Sequence, residues 1–297
     1  MNPQRALLLR MWALWASLAL LAGGGEGGRP FRTEDNGTVP PGSFELELGG
    51  ELAFDKSDRH AVFPTLAFKA GLADRVELGL EAGHLFVKSA GIEEASLADA
   101  IFKVKARLYD GSVAIPSLAT TFGVILPTAE RTIVPGRHLG FLTLAQVSAD
   151  LRSFIYYVNL GFAFTDDPEE RRSRLDEDLL WGLALEIPIH TDVALALDFF
   201  GRTQQNNGVA QSGLLGLIWR SPWKIDVDGA VIVGLTPGAD DVGLTMGLTY
   251  EFPVFGAAGQ RQALRRSTVQ ERRPPRAPVS RTERLLSMSE KQMLQER

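Results

Sequence analysis

LTMGLTYEF, residues 244–252, separates into two sets when every second residue is taken. Leu244, Met246, Leu248, Tyr250 and Phe252 are apolar or aromatic; Thr245, Gly247, Thr249 and Glu251 are small, polar or charged. Successive side chains of a β-strand point to opposite faces, so this alternation predicts a strand with one greasy side. The fold turns on what that side meets.

The pattern recurs along the chain. Phe44, Leu46, Leu48, Leu52 and Phe54 alternate with Glu45, Glu47 and Glu51. Similar segments follow near 62–69, 75–86, 98–109, 116–126, 141–151, 153–165, 178–190, 192–201, 212–220 and 224–236. With the opening stretch they make twelve candidate strands, mostly nine to thirteen residues long. Pro64 interrupts the second, because it cannot donate to a ladder; the strand starts after it or a bulge accommodates it. The links alternate between short ones (71–74, 110–115, Arg152, Thr191, 221–223) and longer polar ones (55–61, 87–97, 127–140, 166–177, 202–211), with the short 237–241 breaking the trend.

A soluble sandwich hides its apolar faces against a second sheet and shows abundant charge on the other side. Here the minor face is rich in Gly, Ala, Ser and Thr. Strands of about eleven residues, rising ~3.3 Å each and tilted ~45°, cover ~25 Å, the height of an outer-membrane barrel's lipid-facing band. Unpaired strand edges in hydrocarbon cost several kcal/mol per group, so such a sheet must close. We therefore expect an all-β chain: a transmembrane antiparallel up-and-down β-barrel of about 12 strands.

Arg5 and Arg10 precede the apolar run Met11–Ala22 and the small residues Gly23 to Gly25, which together read as a secretory signal. The expected organisation is a signal peptide (1–24), a periplasmic N-terminal leader (25–42), the barrel (43–252) and a basic, unstructured periplasmic tail (253–297). The residues after Phe252 include ten basic and four acidic ones, with Pro274 and Pro275 among them. This tail reads as solvated, with a periplasmic contact as the alternative. The expected location is the outer membrane of a Gram-negative bacterium. The expected partners are the lipid bilayer, lipopolysaccharide, the barrel-assembly machinery and a small-molecule solute, without nucleic acid. Tyr250 and Phe252 end the last strand as an assembly signal would.

If apolar residues face lipid, the charges between them face the lumen. The candidates are Glu45, Glu47, Glu51, Glu77, Glu81, Lys103, Lys105, Arg107, Glu186, Asp198, Arg220, Asp226 and Asp228. Meander neighbours predict an acidic–basic ladder between Glu77/Glu81 and Lys103/Lys105/Arg107, and Arg220 within reach of Asp226. Such pairs either fill the interior by satisfying one another or line a polar conduit. In a conduit, the excess of acids predicts a weak preference for cations or neutral solutes. The chain has no cysteine, and its four histidines lie in loops or near strand ends, so thiolate metal sites are excluded and neither a metal nor a cofactor is expected. No nucleophile–base pair, phosphate loop or dinucleotide fingerprint stands out, so an enzyme is not expected.

GLADRVELGLEAG (71–83), LADAIFKVKARL (97–108), FGVILPTAE (122–130), VNLGFAF (158–164), VALALDFFGRT (193–203) and the run from Asp226 through GLTPGADDVGLTMGLTYEF carry a resemblance. In order and spacing they resemble the bacterial outer-membrane barrel family assigned to transport in the phenol-degradation meta-pathway, over residues 40 to 252. The family's glycine-rich insertion near Thr128 is replaced here by Ala129 and Glu130, and the basic tail is extra. The resemblance implies a channel or facilitator for small, hydrophobic or aromatic solutes. The alternatives are a non-conducting structural or adhesion barrel and a soluble exported β-domain acting as a binding module.

Overall fold

The computed structural model describes residues 29–55, 58–89, 92–112, 115–130, 138–166, 175–204, 208–223 and 225–253. The expected signal peptide, the first residues of the expected leader and all but the first residue of the expected tail lie outside them. Of two compact units, Met1–Phe255 contains every described residue, and Gly256–Arg297 contains none.

The strands are β1 (Ser43–Asp55), β2 (Asp58–Ala73), β3 (Val76–Ser89), β4 (Ile92–Leu97), β5 (Ala100–Tyr109), β6 (Ser117–Leu126) and β7 (Gly140–Asp150). They continue as β8 (Ile155–Asp166), β9 (Leu175–Pro188), β10 (Val193–Gln204), β11 (Gly208–Arg220), β12 (Ile225–Gly234) and β13 (Val242–Pro253). Each pairs antiparallel with its neighbour, and β13 pairs with β1 from Phe54↔Val242 to Ser43↔Pro253, which closes the sheet. Residues 76–81 of β3 pair with β5, and residues 84–89 pair with β4. β4 and β5 therefore form one stave interrupted at Ala98 and Asp99. The result is a closed antiparallel barrel of twelve staves, consistent with a membrane-spanning one.

The opening stretch answers its own question. Leu244 and Met246 are 47% and 55% exposed on the outer surface, whereas Thr245 and Thr249 face inward at 8% and 2%. Leu80, Phe102, Phe122, Leu160, Leu183 and Leu215 are likewise exposed. Neither a second sheet nor a helix covers this side among the described residues. The arrangement suits a hydrocarbon solvent, and a soluble sandwich would have buried the same positions.

β2 runs through Pro64 by way of a bulge. Its register slips between Val62 and Thr65 against β3, and opposite Gly49/Glu51 against β1. A side chain at Gly50 would collide with the Phe63 ring, so glycine makes room for the displaced residue. Three expected long links are shorter than the alternation implied. β1 and β2 pair out to Asp55↔Asp58, β10 and β11 out to Gln204↔Gly208, and 87–97 folds mostly into the β3–β4 hairpin. Beyond the apolar band the outer face meets water. The side-chain pattern then lapses while the backbone ladder continues.

Candidate functional site

Residues 29–42 correct one expectation. Placed by the sequence in a leader outside the barrel, they run through its lumen. Pro41 bridges Gly71 at the short-turn end, and the Gly42 amide donates to the Gly71 carbonyl at 3.1 Å. Deeper in, the Val39 amide donates to Glu77 at 2.8 Å, and Asn36 Nδ2 donates to the Ser117 and Gln146 carbonyls at 2.9 and 3.1 Å. The amides of Arg32 and Thr33 and the Thr33 hydroxyl all donate to the Asp198 carboxylate, at 2.7, 2.9 and 2.6 Å. Arg29 pairs with Asp228 at 3.3 Å and donates to the Thr245 hydroxyl and the Met246 carbonyl. Arg32 pairs with Glu51. The physical reason is complementarity: an irregular segment must satisfy its backbone groups somewhere, and here wall carboxylates and carbonyls accept them.

Small inward residues make the passage. A Cβ at Gly49 or Gly247 would strike the Arg29 guanidinium, and one at Gly182 would strike the Thr33 hydroxyl. The Gly and Ala content of the inner face thus reflects the segment as well as barrel curvature.

The acidic centre of the segment lies against the basic wall. Glu34 accepts from Lys103 at 2.7 Å and from Gln146 Nε2 at 3.0 Å, with the Thr121 hydroxyl at 3.5 Å; Asp35 accepts from Lys105 at 3.0 Å. Burial alone would raise the Glu34 carboxyl, but the charges of Lys103 and Lys105 outweigh it and hold it down at about 2. On another stretch of wall the lining is apolar. Ala194 and Ala196 (β10), Leu214 and Ile218 (β11) and Ala230 and Ile232 (β12) are buried together, with Phe31 of the segment packed against them. The Phe31 ring also lies 5.5 Å from that of Tyr157.

The remaining charged candidates fall as follows. Glu45 and Glu47 hold Lys69 Nζ at 2.8 and 2.6 Å, and Glu81 shares Lys103 at 2.7 Å. In the β3–β5 register Glu77 faces Lys105, yet its carboxylate takes the Val39 amide while Lys105 pairs with Asp35. Arg107 sits at the short-turn end, on Asp110 and the Asp74 carbonyl. Arg220 joins Glu186 at 2.6 Å and Asp226 at 3.8 Å. Tyr250 and Phe252 stack at 5.3 Å near Phe44, on the outer face at the short-turn end. Arg29, Arg32, Thr33, Glu34, Asp35 and Asn36 were not candidates, nor were Lys69, Thr121 and Gln146. The one available signal was RPFRTEDN (29–36), with both charge signs, a few residues before the first strand.

Chambers remain beside the segment among the described residues. One of about 340 Å³ is lined by Lys69, Glu81, Lys103 and Ile101; another of about 530 Å³ is lined by Leu180, Phe200, Asn159 and Asp240. Glu34 and Arg32 line both.

No protein-family model and no curated protein matches the chain. Among solved structures it is similar to an outer membrane channel from Pseudomonas putida F1, at 12% identity over 73% of this chain and 98% of that one, with a TM-score of 0.55. It is also similar to the NanC porin, at 12% identity over 69% and 98%, with a TM-score of 0.51. At such identities the likeness is one of fold alone: the chain shares the closed antiparallel barrel of these outer-membrane proteins.

Proposed function

We propose that the chain is an outer-membrane channel or facilitator for small solutes, held shut at rest by residues 29–42. The observation that carries this reading is the lodged segment itself. It sits in a polar lumen, and side-chain and backbone polar contacts, which can be exchanged for water, hold much of it. A stopper of that kind suits a passage that opens. The motif resemblance keeps hydrophobic or aromatic solutes, those of a phenol-degradation pathway among them, as the proposed cargo. Its proposed setting is the outer membrane of a Gram-negative bacterium, with the short-turn end periplasmic. The soluble binding-module alternative needed a covering layer on the apolar face, and none is present among the described residues.

A filled lumen also suits a non-conducting barrel, and one experiment separates the two. The full chain and its Glu34→Gln/Asp35→Asn double variant are reconstituted in planar bilayers. Channel function gives rare current steps in the wild type and frequent ones in the variant. Silence from both, with each showing the heat-modifiable gel migration of a folded barrel, would sink the channel reading and leave the structural one.

A further inference from the structure

We infer that Lys103, Gln146 and Thr121 form a carboxylate-binding seat in the lumen wall, for which a small solute with one carboxylate and an apolar body competes with Glu34. The seat stands on the contacts alone, and its use in transport rests on the channel reading above.

Three neighbouring staves build it. Lys103 lies on β5, Thr121 on β6 and Gln146 on β7, so the strand ladders fix their spacing independently of residues 29–42. Lys103 Nζ takes one oxygen of Glu34 at 2.7 Å; Gln146 Nε2 takes the other at 3.0 Å, with Thr121 Oγ1 at 3.5 Å. The single Thr121 hydroxyl hydrogen goes to Gln146 Oε1 at 3.2 Å, so Thr121 orients the amide and borders the carboxylate without donating to it. That contact turns the Gln146 amide so that its N–H₂ faces the carboxylate. Gln146 and Thr121 are wholly buried, at 0% and 1% exposure. Donors aimed from two sides suit a planar two-oxygen anion. Glu81 shares the Lys103 charge, so donor geometry rather than surplus positive potential makes the selection.

Access and the second half of the ligand come from the same region. Lys103, Thr121 and Glu34 all line the chamber of about 340 Å³, so a solute there reaches the edge of the seat, whereas the other chamber reaches Glu34 alone. Phe31, three residues before Glu34, packs on the apolar cluster of β10–β12. The segment thus presents a ring and a carboxylate to two different walls, as an amphiphilic acid would. An amide of the same shape lacks the charge and turns an N–H₂ toward donors.

The test uses the full chain in detergent, 3-phenylpropionate as probe and its primary amide as control. Calorimetry compares wild type, Glu34→Ala and Glu34→Ala/Lys103→Gln. Glu34→Ala should bind the acid at least ~10-fold more tightly than the amide, the scale of one charge-assisted hydrogen bond, and more tightly than wild type does. The double variant should lose the preference. Equal binding of acid and amide to Glu34→Ala, or binding of neither, overturns the seat. Should Glu34→Ala fail to fold, the wild type in a planar bilayer decides: opening must rise with the acid and not with the amide, and equal responses overturn the proposal. Selective binding in a barrel that never conducts would instead remove the channel reading and leave the seat. Current without acid preference would remove only the seat.

Discussion

The β5–β7 wall and the β10–β12 wall come from the same repeating pattern, and both present apolar side chains on the outer face. Inside they differ in the sign of their charge and in how apolar its surroundings are. Lys103, Lys105, Thr121 and Gln146 line the first; Ala194, Ala196, Leu214, Ile218, Ala230 and Ile232 line the second, with the carboxylates of Asp198 and Asp228 set among them. Residues 29–36 match this division: Glu34 and Asp35 meet the basic wall, while Phe31 packs on the apolar cluster of the other and Arg29, Arg32 and Thr33 bond its Asp228 and Asp198. Outer positions answer to a uniform solvent and carry little individual information. Inner positions answer to one particular segment, so molecular identity is written there.

The contrast can be broken most forcefully at Lys103. Lys103→Met leaves Glu34 and Glu81 sharing a partly buried space without their common cation, and leaving such charged groups without a partner costs about 3 kcal/mol. The lodged segment should leave, which limited proteolysis within residues 29–42 and a rise in bilayer conductance would both register. An unchanged, protease-resistant segment would show that the basic wall does not hold it. Phe31→Ala probes the opposite wall. It removes a ring packed on the apolar cluster and beside Tyr157, and should cost about 2 kcal/mol in denaturant unfolding with a smaller gain in conductance. Ile232→Val trims the same wall by one methylene and should cost ~1 kcal/mol, with conductance unaltered.

The smallest effect concerns acid. The Glu34 carboxyl is depressed to about 2 in the folded chain, so its contribution is complete above its ordinary value and is lost only as pH falls toward about 2. The conductance difference between wild type and Glu34→Gln should therefore hold constant from neutrality to mildly acidic pH, and close only near the bottom of the range. A difference that vanishes around pH 5 would mean that Lys103 and Lys105 do not act on Glu34 as the geometry indicates.

Much of the fold was legible because hydrocarbon imposes a strict period of two. Segment 153–165 shows it, with Val158, Leu160 and Phe162 outside and Asn159, Gly161 and Ala163 inside. Arg220 near Asp226 and Lys103 near Glu81 were legible too, because meander neighbours have foreseeable registers. Strand ends were not, since the ladders of β3–β4 and β10–β11 outlast the lipid that enforces the pattern. The lodged segment was not legible either. It has no period, and its contacts link residues far apart in the chain: Glu34 and Gln146 are 112 positions apart, and Arg29 and Asp228 are 199 apart. Lys69 lay on the inner set of its strand, but nothing local distinguished it from a solvated charge.

Arg29 spans the line where the circle of strands is joined. Its guanidinium is bonded to Thr245 and the Met246 carbonyl on β13 and rests in the space left by Gly49 on β1. The first and last staves are thus clasped from within by the stretch of chain that leads into the first. Sideways parting of that join, as an escape route into the bilayer, would require the clasp to be undone beforehand. Closing the cylinder and lodging residues 29–42 inside it are therefore coupled, each favouring the other.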